Sequence, residues 1–113
     1  MSSEHDNQIQ PPPSFVAVYA DAHQRLRTPI AVVRDRYEVC EDLACQLVTQ
    51  AEHLYHAQEP SESAILLGFH TALRAEGAGV SPLEATWVVC RLAELLSWEC
   101  PALPEPTDGA EAA

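Results

Sequence analysis

From Ile30 to Leu54 the apolar side chains return with a helical period. Ile30, Val33, Tyr37, Cys40, Ala44, Leu47, Ala51 and Leu54 follow one another at alternating steps of three and four residues. That is a 3.5-residue seam sustained over about four heptads. No glycine or proline interrupts residues 30–59, and Thr28-Pro29 supplies a start signal, a capping hydroxyl before a proline suited to the first turn. The pattern predicts one continuous helix over residues 29–57. A coiled-coil homodimer would use such a seam, but Cys40, Ala44 and Ala51 make it thin, while Val39, Leu43, Val48 and Tyr55 widen it. A helix inside a small bundle fits better, with a homodimer as the alternative assembly.

Two further helices follow. Pro60-Ser61 closes the first and opens a second, capped by Ser61 or Ser63, with Ile65, Leu66, Phe69 and Leu73 as its buried stripe and Gly77 as its stop. Ser81-Pro82-Leu83-Glu84 combines a capping serine, a first-turn proline and a glutamate three residues on, the signature of a capping box. This third helix is expected over residues 82–98, antiparallel or nearly so to the first. Within residues 87–98 only Arg91, Glu94 and Ser97 are polar, so it must lie centrally or be covered by a partner. Residues 14–22 fit either a helical stripe or a short strand. A short helix is favoured because no second strand is available to pair with it. The fold expected is all-α: three long helices in a small bundle plus a short N-terminal one. Residues 14–100 form the domain, between a disordered segment 1–13 ending in three prolines and a disordered acidic, proline-rich tail 101–113.

Composition narrows the partners. The 113 residues leave room for one domain, and the charge is −11, with six basic residues, all arginine, against seventeen acids. Six scattered arginines cannot displace counterions from a phosphate backbone or hold an anionic membrane, so nucleic acid and membrane are excluded as partners. Another protein with a basic surface fits, as does a charge that serves solubility alone. The polar start Met1-Ser2-Ser3-Glu4-His5-Asp6 lacks signal-peptide character and no apolar run approaches the ~20 residues of a membrane span. The expected location is the cytoplasm, where Cys40, Cys45, Cys90 and Cys100 would be free thiols.

Catalytic signatures are missing. A phosphate-binding P-loop requires a lysine, and the chain has none; Gly77-Ala78-Gly79 is explained by a turn between helices. His53 and His56 lie one turn apart, near Glu52 and Cys45 and with His70 on the next helix, a spacing that can hold a metal but is common without one. Cys40 and Cys90 fall on buried positions, where cysteine is a small core residue; Cys90 beside Arg91 keeps a thiol-dependent catalyst or sensor as the competing reading. No catalytic residue, metal or cofactor is therefore assigned. One stripe is suggestive. Trp87, Arg91, Glu94 and Trp98 step by four, three and four along the last helix, two indoles bracketing an Arg–Glu pair. Tryptophan and arginine are the residues most enriched at binding hot spots. These four are the expected partner-binding face, exposed at least on the Arg91 side. The competing reading puts both indoles at the edge of the core and makes the Arg–Glu pair a surface contact worth little.

Three stretches carry a resemblance: Pro12-Pro13-Ser14-Phe15-Val16-Ala17, residues 36–44 from Arg36 to Ala44, and residues 87–96 from Trp87 to Leu96. Over most of the expected folded region the chain resembles short proteobacterial proteins labelled ATPases with chaperone activity. Lacking a lysine, it cannot be a P-loop ATPase itself. The resemblance thus implies a non-enzymatic accessory or adaptor protein associated with chaperone machinery.

Overall fold

Proline and serine signals fix where helices begin in the computed structural model, which describes residues 10–23, 25–58 and 61–104. Helix α1, Pro13–Val16, starts at its proline, and the Pro12 carbonyl accepts from the amides of Phe15 and Val16 at 2.9 and 3.0 Å. A single 3-10 turn, Ala17–Tyr19, continues it until Ala20 turns extended. The helical reading of residues 14–22 thus holds for its first part. The strand-like tendency survives only as an isolated antiparallel bridge, Ala20 to Leu26, because the loop between them is closed by Asp21. Its carboxylate accepts from the amides of His23 and Arg25, both at 2.9 Å. Among the described residues there is no strand. Pro13 is helical, so the N-terminal segment expected to be disordered stops short of it; residues 1–9, like 105–113 of the expected tail, lie outside the described residues.

Helix α2 occupies Ile30–Gln58, within one residue of expectation at each end. The Pro29 carbonyl accepts from the amides of Val32 and Val33, so the proline precedes the helix rather than filling its first position. The seam carries the burial: Val33, Cys40, Ala44, Leu47 and Ala51 are buried. Ile30, at its start, is exposed, and the widening residues Val39 and Tyr55 are exposed too. Small residues on the seam allow close packing without the flanks, so the buried stripe is narrower than the apolar pattern suggests.

Contacts divide the chain into two compact units, Met1–Val39 and Cys40–Ala113, with the division inside α2. In the first unit Phe15 is fully buried, its ring centroid 5.5 Å from those of both Tyr19 and Tyr37. Aromatic pairs at such separations contribute about 0.5–1.5 kcal/mol beyond area burial.

In the second unit, helix α3, Glu62–Arg74, begins at Ser61, whose hydroxyl accepts from the Ala64 amide at 3.0 Å. Ile65, Leu66 and Leu73 are buried as expected, Phe69 is half-buried, and His70 joins them in the core. Gly77 and Gly79, at φ 88° and 92°, shape the turn that follows. Helix α4, Pro82–Leu96, opens with the full capping box: Glu84 N–H donates to Ser81 Oγ at 3.1 Å, and Ser81 N–H to Glu84 Oε1 at 2.8 Å. It buries Ala85, Trp87, Val88, Val89, Leu92 and Ala93, as a helix so apolar requires. It ends two residues before the expected Trp98. Ser97 adopts a left-handed φ of 60°, and the Trp98 amide donates back to the Ala93 carbonyl at 2.9 Å. That bond satisfies a terminal carbonyl and turns the chain away.

Glu41 of α2 meets Arg91 of α4, and Tyr55 of α2 meets Trp98 just past the end of α4. No helix among the described residues is long and apolar enough to cross a membrane.

Candidate functional site

The four residues of the expected face do not stay together. Trp87 projects from the inner side of α4 and is 9% exposed, so it belongs to the core. Helical geometry explains the split: Trp87 lies one turn after Glu84 and beside Val88, both buried, whereas Arg91 lies a turn further on at the rim. Trp98 lies beyond the helix end, where the left-handed Ser97 has redirected the chain. It remains half-exposed and packs against Tyr55 of α2, ring centroids 5.5 Å apart at 51°. Tyr55 is itself 38% exposed. Of the stripe, Arg91, Glu94 and Trp98 reach the surface; Trp87 is corrected to a core residue.

Arg91 is held more firmly than a surface ion pair. Its Nε and Nη2 each donate to one oxygen of Glu41 at 2.9 Å, a two-pronged clamp between helices fifty residues apart in sequence. Its Nη1 donates to Glu94 Oε1 at 3.0 Å, one turn along α4. The side chains are 33% exposed for Arg91, 24% for Glu41 and 70% for Glu94. The hydrogen bond to Glu41 holds the guanidinium pKa above its ordinary value; burial acts the other way without prevailing. Arg91 is therefore permanently charged and cannot shuttle protons. All three of its nitrogens are engaged, so it organises the patch instead of reaching out from it. One cation against two carboxylates leaves this cluster with one net negative charge.

Glu41 and Tyr55 are the contributors that sequence reasoning did not assign to the face. Nothing local marks Glu41, because its partner lies on another helix. Tyr55 was visible only as a residue flanking the α2 seam.

Other titratable groups occupy separate places. His70 is buried, and its Nε2 lies 3.0 Å from Thr86 Oγ1, whose hydroxyl donates to the Pro82 carbonyl at 3.3 Å. The imidazole therefore donates, which requires the tautomer with the proton on Nε2. Burial lowers its pKa, and the charge of Arg74 lowers it further. His53, His56 and Cys45 are exposed and Cys40 is buried. Among the described residues no three His, Cys, Asp or Glu side chains gather as a metal would require. Cys90 and Cys100 are half-buried, their Sγ atoms 3.4 Å apart.

No family model, curated protein or solved structure matches this chain.

Proposed function

We propose that this chain is a small acidic, non-enzymatic adaptor that docks on a basic protein surface through the patch formed by Tyr55, Trp98, Arg91, Glu41 and Glu94. The observation that carries this reading is the Tyr55–Trp98 pair: two large aromatic side chains packed against each other at a tilt yet left partly in solvent. Aromatic groups ordered before binding lose little entropy on docking, and tryptophan and tyrosine dominate interface hot spots. Charge selects the partner. The adjacent cluster is net negative, and Asp42, Glu52 and Glu99 of the same unit are exposed, so a basic surface is favoured and an acidic one repelled. The proposal takes α2 from Cys40 onward, α3 and α4 as one three-helix bundle working in the cytoplasm. Association with chaperone machinery is the form of the reading that the sequence resemblance supplies.

The test is recovery of binding proteins from the source cells with the wild-type chain and with Trp98→Ala and Tyr55→Ala. A true partner should bind the Trp98→Ala chain roughly thirtyfold more weakly, the effect of losing a hot spot worth about 2 kcal/mol. Circular dichroism should show the variant still folded. A partner profile unchanged by either substitution sinks the proposal.

A further inference from the structure

The two half-buried thiols of the second unit are a separate matter from docking, and their geometry carries its own chemistry. Cys90 sits on α4, six residues before the helix ends at Leu96, about 9 Å along the axis. Were the helix to continue, Cys100 would be carried away from it. The left-handed Ser97 instead reverses the chain. The four residues from Leu96 to Cys100 can span roughly 13 Å, enough to return alongside the last turns. The result is a Cys90–Cys100 Sγ separation of 3.4 Å, held by a hydrogen bond between the thiols. Ten residues separate them in sequence, and the side chain between the turn and Cys100 that anchors the segment is Trp98 against Tyr55.

We propose that Cys90 and Cys100 are a peroxide-oxidisable dithiol that closes to an intramolecular disulfide and fastens the segment after α4 to the helix. Burial, then the Cys100 hydrogen bond and the charges of Cys100 and Glu94, push the Cys90 thiol up to about 12, so it keeps its proton. The first attack is assigned to Cys100, which lies on the segment beyond the helix end rather than on α4. Its sulfur attacks one oxygen of a hydroperoxide, the O–O bond breaks, and the departing alkoxide (or hydroxide, from hydrogen peroxide) takes the Cys100 proton and leaves as the alcohol (or water), with a sulfenic acid left on Cys100. The Cys90 sulfur then attacks the Cys100 sulfur. The S–O bond breaks, and the departing hydroxide takes the Cys90 proton and leaves as water. Two thiols are oxidised by two electrons, and the peroxide is reduced by two. Exposed Cys45 is engaged elsewhere, its thiol 4.0 Å from Glu41 Oε2 one turn back on α2.

The sequence makes the product easy to map. Arginine-specific cleavage after Arg74 and Arg91 puts Cys90 and Cys100 on different peptides and leaves Cys40 and Cys45 together on a third. The full chain, reduced and then treated with stoichiometric hydrogen peroxide, should lose two of its four titratable thiols without any disulfide forming between chains. A non-reducing digest should join residues 75–91 to residues 92–113. The oxidised protein should melt roughly 5 °C or more above the reduced one, since a closed loop restricts the unfolded chain, and the rise should be absent from Cys100→Ser. Overoxidation of Cys100 with Cys90 still reduced would overturn the proposal. So would a dominant intermolecular disulfide through Cys45, or linkage without any rise in Tm. Because the readout involves no partner, it separates cleanly from the docking test.

Discussion

Breaking the clamp between Arg91 and Glu41 is the most direct way to probe how the patch is built. A hydrogen bond to a charged group contributes about 1.5–3 kcal/mol, whereas an exposed ion pair contributes about 0.2–1 kcal/mol. Arg91 at 33% exposure and Glu41 at 24% lie between those limits, and the two-pronged geometry at 2.9 Å favours the upper part. A coupling of about 1–2 kcal/mol is therefore expected from a double-mutant cycle of Arg91→Ala and Glu41→Ala, measured by urea unfolding. Arg91→Ala alone should cost about 2 kcal/mol, because it also strips an aliphatic stem from the helix surface and strands the Glu41 carboxylate. The matching fall in Tm is roughly 8 °C or more. Arg91 and Glu94 form the internal control. That pair is exposed and one turn apart, so its coupling should stay below about 0.5 kcal/mol and fade at high salt. An Arg91–Glu41 coupling under about 0.3 kcal/mol, or one no larger than the Arg91–Glu94 value, would refute the argument that the interhelical clamp orders the patch.

Trp87→Ala should cost about 3–5 kcal/mol in chemical denaturation, as loss of a buried aromatic does, and a cost under 1 kcal/mol would return Trp87 to the surface. Ser97→Gly should raise stability by about 0.5–1 kcal/mol, because glycine reaches the left-handed φ of 60° without the Cβ conflict; an unchanged or lowered Tm contradicts the cap assignment. His70 gives a pH dependence of definite sign. Its folded pKa lies below the unfolded value near 6.5, so the unfolded chain binds more protons in the window just beneath that value. Its contribution is complete above pH ~6.5 and is lost as pH falls through the folded pKa. The Tm advantage of wild type over His70→Gln should shrink between about pH 7.5 and 5.5, and a constant difference would show that the imidazole is not held neutral.

Local chemistry wrote the helices into the sequence. The Ser81–Glu84 box, the Ser61 cap and the proline before Ile30 each act within three or four residues, so a linear reading finds them. The seam from Val33 to Ala51 is legible for the same reason, since periodicity along one helix decides which side is apolar. What periodicity cannot decide is the width of the buried stripe or what stands opposite it. Trp87 and Arg91 are one turn apart on α4, yet one is core and the other rim, because the neighbouring helices cover only part of the circumference. Trp98 continued the period on paper, but the left-handed Ser97 ended the helix first, a conformation serine announces much less clearly than glycine does. Glu41 against Arg91, Tyr55 against Trp98, His70 against Thr86 and Cys90 against Cys100 are meetings made by chain reversal. Nothing in the sequence near any of these residues names its partner. The sequence determined the helices and their inner faces; the side chains that share a surface were chosen only when the turns brought distant segments together.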